Sequence, residues 1–300
     1  MNKSVICIPS YGLRFTNLFD ELHNINSYDV KIFVSDDDTH LKEYDNLNFD
    51  IIHTNTKNIM EKRSFIVEWT KHQSYDYAFI IEDDVMPYGG KITPETKRET
   101  SNSYRRIKTT LQEMLDTMSQ RMIDNEASFG GFIRNEYIGF SVPNKTSINR
   151  SLNCGQFVCY NVNDIRKADI HIYVGELIPE DVKFCLDILT KGMTCICIRD
   201  YTYYEHPTDH NSVVHSDIAD RSFAHIRLSR MYNFPMKITK DNVIRPRMDW
   251  KKYYNVGDKY PEYNKKVKPL YDHLYEMYDN KCSYEEIMKY LKEVILNKKV

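Results

Sequence analysis

Three hundred residues can bury a substantial core, as one large domain or as a core with an appendage. A hydrophobic share of 41%, a charged share of 28% and a net charge of −2 are ordinary for a globular protein, so any pull towards polyanions must come from local patches. No stretch approaches the ~20 apolar residues needed to span a bilayer, and the opening MNKSVICIPSYG carries too short an apolar run for a signal-peptide core.

The first ninety residues alternate. Ser4–Pro9 predicts a strand, Phe15–Asn24 a helix with Leu18, Phe19 and Leu22 on one face, and Val30–Val34 a second strand running into Ser35-Asp36-Asp37-Asp38. Asp50–His53 predicts a third strand, Glu61–Lys71 a helix, and Tyr77–Ile81 a fourth strand ending in Glu82-Asp83-Asp84. Strands alternating with helices imply a parallel sheet of βαβ units, which binds ligands at the carboxyl ends of its strands. Both acidic clusters fall at such ends. The polar run from Tyr88 to Ser103 reads as a loop with Gly89-Gly90 as a hinge, followed by a helix over about Tyr104 to Asn125.

Ala127 to Tyr160 is strand-like, interrupted by glycine turns. Glu180 to Lys191 predicts a helix and Met193–Tyr204 a strand. The tail from Pro261 reads as two helices, the second opened by a Ser283/Glu286 capping box. Seven cysteines, at 7, 154, 159, 185, 195, 197 and 282, show no metal-ligand spacing and are expected as buried free thiols in a reducing cytoplasm.

Three adjacent carboxylates raise one another's pKa unless a cation intervenes. A divalent metal resolves this, and Mg²⁺ commonly combines one or two carboxylates with substrate phosphates. The competing reading is a solvated acidic turn. The apolar strand leading into the cluster favours a metal-bridged nucleotide diphosphate.

"FIIEDDVMP" resembles the DxD signature of GT-A glycosyltransferases, here as Glu82-x-Asp84. "VICIPSYG", "VSDDD" and "NIMEKRSFIVEWT" resemble the family's first strand, second strand and pre-DxD helix, and the likeness runs over roughly Ser4 to Pro207. It implies a GT-A, Rossmann-like α/β fold with a mixed, mainly parallel sheet flanked by helices. It further implies a nucleotide-sugar donor, expected to be a UDP-sugar, with Mn²⁺ or Mg²⁺. Pro9, Ser10, Tyr11, Asp36, Asp37, Arg63, Glu82 and Asp83 would contact the donor, and Asp84 would bind the metal. Glutamate in the first DxD position points Glu82 to the ribose or a metal-bound water.

"GELIPEDVKFCLDILTKG" resembles the family's acceptor-side ED motif, where an acid at a helix start acts as base. A sugar-accepting hydroxyl needs such a carboxylate to take its proton. Asp181 is the first candidate and Glu180 the second, although acids also favour an ordinary helix N-terminus. "YTYYEHPTDHNSVVHSD" offers late histidines, of which His206 matches the family's further metal ligand best.

Arg221 to Lys252 holds nine basic side chains against two acidic ones, with aromatics interleaved, densest in NVIRPRMDWKKYYN. Cations that neutralise phosphates among rings that stack on bases suit nucleic acid, and a solvated basic face is the alternative. Arg245, Arg247, Trp250 and Lys251 are the candidate DNA contacts. With "SLNCGQFVCYN", the chain also resembles the TET-associated glycosyltransferases of bacteriophages. That resemblance implies transfer to 5-hydroxymethylpyrimidine DNA in the cytoplasm of a host. The other readings are a glycan, lipid or protein acceptor and, from a different class, a non-catalytic nucleic-acid-binding module. Residues 1–215 are expected as the core, with 1–90 the nucleotide half and 127–215 the acceptor half. Residues 216–300 are expected as a basic region ending in two helices.

Overall fold

The computed structural model describes residues 3–13, 17–97, 99, 105–134, 146–149, 155–175, 177–205, 217–259, 262, 265 and 268–297. Nine strands among them form the central sheet: β1 (Ser4–Ser10), β2 (Asp29–Ser35), β3 (Asp50–Thr54), β4 (Tyr77–Ile81), β5 (Val85–Lys91), β6 (Ala127–Arg134), β7 (Ser147–Ile148), β8 (Phe157–Asn161) and β9 (Thr194–Glu205). Their order is β3-β2-β1-β4-β8-β6-β9-β5, with β7 also beside β9. The first four are mutually parallel. β8 is antiparallel to both neighbours, which returns β6 and β9 to the direction of β4, while β5 and β7 oppose β9. The sheet is therefore mixed and mainly parallel. Ser10, Asp36 and Glu82 all follow from carboxyl ends on one edge.

β1 and β4 are buried along their whole length, the pattern of strands covered on both faces. On one face pack α3 (Ile59–Lys71), α5 (Val162–Lys167) and α6 (Glu180–Thr190), through residues such as Ile66, Ile165 and Phe184. The other face holds α1 (Asn17–Leu22), α2 (Leu41–Asp45) and α4 (Leu111–Asp124), through Phe19, Tyr44 and Met118. Asn58 caps α3 by accepting the Glu61 N–H at 2.9 Å, and Glu61 accepts the Lys57 N–H in return.

Two expectations shift. The helix expected from Tyr104 starts at Leu111, because Ile107 instead bridges to Lys91 and Thr110 accepts the Glu113 N–H as an N-cap. The Gly89-Gly90 hinge is a strand: Gly90 pairs with Thr202, at φ +75°, and a Cβ there would lie 2.3 Å from the Ile107 carbonyl oxygen. Glycine serves a close backbone approach, not a swing. α5 falls in a stretch for which no element was expected; Asn161 caps it by accepting the N–H groups of Asn163 and Asp164.

Beyond the sheet lie α7 (Ile218–Tyr232), a ribbon of β10 (Met236–Ile238) and β11 (Ile244–Pro246), α8 (Lys268–Asp279) and α9 (Tyr284–Asn297). Ile226, Met236, Ile244, Tyr271, Leu274 and Ile287 form a third apolar cluster there. The α9 capping box is present, with the Ser283 N–H donating to Glu286 at 2.9 Å and the Glu286 N–H to Ser283 at 3.3 Å. Cys7, Cys159, Cys185, Cys195 and Cys197 are buried free thiols; Cys154 lies outside the described residues. No helix among the described residues is long and apolar enough to cross a membrane.

Candidate active site

The carboxyl edge of β1, β2 and β4 gathers charge on a buried lysine. Lys62, 3% exposed, donates from Nζ to the Ser10 carbonyl at 2.6 Å and lies beside the half-exposed ring of Tyr11. Burial lowers its pKa, while Asp83, Asp38 and Asp37 pull it back up. Asp83 accepts the Ser10 hydroxyl at 2.5 Å and the Tyr11 N–H at 3.4 Å. Desolvation, reinforced by Asp84 and opposed by Ser10, pushes the Asp83 carboxyl up to about 6.

The second acidic cluster divides. Asp36 and Asp37, the expected donor contacts, are exposed. Asp38, 5% exposed, accepts the Gly12 N–H at 2.6 Å and the His40 N–H at 2.9 Å, holding the turn that follows β1. Tyr44 braces the same turn, accepting the Leu13 N–H at 2.9 Å and lying 2.8 Å from the Ser10 hydroxyl. Its buried phenol is held well above the ordinary value by desolvation.

Glu82 has a partner that the sequence did not show. Arg63 donates from one guanidinium nitrogen to Glu82 and from another to Glu180, all three largely buried. Glu82 thus pairs with Arg63 through one carboxylate oxygen, and the DxD resemblance points it to the ribose or a metal-bound water. Arg63, expected near the nucleotide, joins the carboxyl end of β4 to the start of α6. Desolvation raises the Glu180 pKa, Arg63 opposes this, and Asp181 adds to it. An Arg63-bound Glu180 is poorly placed to act as a base. Asp181, half-buried, lies against Gly155, where a Cβ would come within 3.3 Å of its Oδ2. Arg63, Gly155, Glu180 and Asp181 share a small cavity with Phe129 and Tyr160.

Asp84 is half-buried immediately before β5. No group of three or more His, Cys, Asp or Glu side chains among the described residues could hold a metal ion. His206 lies outside them, but the preceding Glu205 pairs with Val85, the residue after Asp84. Of the DNA candidates, Arg245, Arg247 and Lys251 are exposed. Trp250 is not available to stack on a base: it is 8% exposed and packs in the cluster of Phe234 and Tyr253, because a short 3₁₀ turn rolls it inward.

Lys62, Tyr44 and Gly155 escaped the sequence reading as site residues, and Asp38 was seen only as part of the acidic cluster after β2. Lys62 had a signal, since it lies four residues before Ile66 and eight before Thr70 on the buried stripe of α3. Gly155 and Tyr44 had none, since each acts through contacts with residues distant in the chain.

A family model for TET-associated glycosyltransferases matches residues 5–213. No curated protein matches the sequence. Among solved structures, S. aureus TarS 1–349 in complex with UDP-GlcNAc is similar at a TM-score of 0.51 and 12% identity, covering 95% of this chain and 77% of that one. A second structure of S. aureus TarS 1–349 aligns at 0.49 and 12%, covering 98% and 81%. GalNAc-T7 with UDP, GalNAc and Mn²⁺ aligns at 0.42 and 12%, covering 97% and 59%. The first of these is a likeness of fold.

Proposed function

The chain belongs to the TET-associated glycosyltransferase family, with a GT-A fold and a nucleotide-sugar donor, and from that premise we propose that it moves a sugar from a UDP-sugar to the hydroxyl of a 5-hydroxymethylpyrimidine in phage DNA. The non-catalytic alternative falls with family membership. One observation carries the mechanism: Arg63 bridges Glu82 and Glu180, so the donor-side strand end and the acceptor-side helix start are held as one unit.

Asp181 is the general base. Its neighbour Glu180 is occupied by Arg63, while Asp181 faces the Gly155 turn and takes the proton of the incoming hydroxyl as it attacks the anomeric carbon. Pro9, Ser10 and Tyr11 form the wall for the nucleoside, stiffened from behind by Lys62, Asp38 and Tyr44. Asp36 and Asp37, exposed at the adjacent strand end, remain donor contacts in this reading. The donor set suits a hard divalent cation, Mn²⁺ or Mg²⁺, taken together with its diphosphate. Asp84 would hold it with His206, and Glu82 would not, being tied to Arg63. When bound, the cation supplies neutralisation of the leaving diphosphate.

The test incubates the protein with UDP-sugars, Mn²⁺ or Mg²⁺, and hydroxymethylated DNA, reading UDP release and the mass of the DNA. A mass gain that Asp84→Ala and Asp181→Asn abolish is expected. Wild-type rates in both variants would overturn the site. UDP release with an unmodified DNA mass would move the acceptor to a glycan, lipid or protein.

A further inference from the structure

The β10–β11 ribbon has two unlike faces. Met236 and Ile244 turn into the apolar cluster under α7, whereas Lys237, Arg245 and Arg247 alternate outwards and are exposed. Lys237 and Arg245 are register partners in the antiparallel ladder, so two like charges stand directly opposite each other. Such a pair destabilises a ribbon on its own. Arg247 extends the same face, its N–H donating to the Pro235 carbonyl at 2.7 Å.

The adjoining flank of α7 adds to this charge. Arg221 is exposed one turn before His225, and both Arg221 and Arg245 act electrostatically on His225 and on Asp241 in the ribbon turn. His225 Nδ1 is buried and has no hydrogen-bond partner among the described residues. Desolvation, then Arg245 and Arg221, depress its pKa to about 4, so the imidazole is neutral and can donate one N–H without adding repulsion. The flank is not a loose appendage. Ser222 accepts the Ile244 N–H at 3.1 Å, Arg227 donates to the Leu177 carbonyl at 2.8 Å, and the Tyr232 hydroxyl donates to Asp187 at 2.7 Å. Leu177 lies just before α6 and Asp187 in its C-terminal half, so the cationic face is anchored to the helix that carries Asp181.

We propose that Lys237, Arg245 and Arg247 on the ribbon, with Arg221 and His225 on the flank of α7, bind the phosphodiester backbone of the nucleic-acid acceptor. This rests on the DNA-acceptor reading and narrows it. Phosphates relieve the Lys237–Arg245 repulsion, and contacts to phosphate hold a duplex in position without reading its sequence. Base recognition then belongs to the Asp181 side, and Trp250 takes no part.

The experiment measures binding of the full chain to a fluorescent duplex containing 5-hydroxymethylcytosine, by anisotropy across a salt series. A parallel titration with UDP and Mn²⁺ reports the donor site. Lys237→Gln with Arg245→Gln should weaken binding and flatten the slope of log K against log salt by about 2, and Arg245→Lys should restore half of that. An unchanged slope in the Lys237→Gln/Arg245→Gln protein, with UDP still bound, overturns the proposal. Sugar transfer to DNA with a ribbon-independent slope keeps the acceptor reading and discards this surface. A ribbon-dependent slope without any DNA product keeps the surface and discards the acceptor reading.

Discussion

The carboxyl edge of β1, β2 and β4, proposed as the donor edge, and the C-terminal ribbon both concentrate charge, but they do so in opposite ways. At the donor edge the charges are buried and interlocked: Lys62 on the Ser10 carbonyl, Asp83 on the Ser10 hydroxyl, Arg63 between Glu82 and Glu180. On the ribbon, Lys237, Arg245 and Arg247 stand in solvent on one face. Buried charges are costly unless each is paired, so their geometry is held hard; exposed cations are cheap, screened by salt and tolerant of position. The first arrangement suits positioning for chemistry, and the second suits attraction of a polyanion.

Perturbation separates the two regions by size of effect. The largest is expected at Asp181→Asn, which should lower kcat by about 10²–10⁴ while UDP binding stays near wild type, because the proposed base alone is lost. Stopped assays of UDP release alongside calorimetric UDP titration check it. Next comes Arg63→Met. It leaves Glu82 and Glu180 buried without a counter-charge and should cost about 3–5 kcal/mol in denaturant unfolding. Glu82→Gln in that background should recover part of the loss.

Asp83→Asn should act in the opposite direction. The folded-state pKa of Asp83 is raised to about 6, so the folded protein holds this proton more tightly than the unfolded chain. Its contribution to stability is therefore greatest below about pH 4, falls as pH rises, and becomes a full penalty above about pH 6. The neutral variant escapes it. In metal-free urea melts it should match wild type near pH 4 and exceed it by about 2–3 kcal/mol near pH 8. A constant difference across that range would remove Asp83 from the donor-edge network. The smallest effect is expected at Arg230→Ala. Its 2.6 Å contact with Asp279 joins two half-exposed side chains, and thermal melts should register only about 0.2–1 kcal/mol.

Legibility in the sequence followed the same division. β4 was read to its residue bounds because its five apolar residues and the abrupt carboxylates are local signals. α6 and the capped α9 were legible for the same reason. The ribbon was missed: strands of three residues carry too little periodicity, and Trp250 reads as a surface ring until the fold buries it. The pairing of Glu82 with Arg63 was not legible because it spans a helix and a strand.

By itself the sequence determined the alternation of strands and helices, the acidic ends of β2 and β4, the acid pair opening α6, and the excess of cations after α7. These depend on residue type and near spacing, which hydrophobic patterning and charge express directly. Only the tertiary structure decided how that charge is used. It split the carboxylates, sending Glu82 to Arg63, Asp83 to Ser10 and Asp38 to the Gly12 turn, and it turned Lys62 inward and Arg245 outward. Burial and partner choice arise where distant segments meet, and the cost of an unpaired buried charge selects among arrangements that the sequence leaves equal.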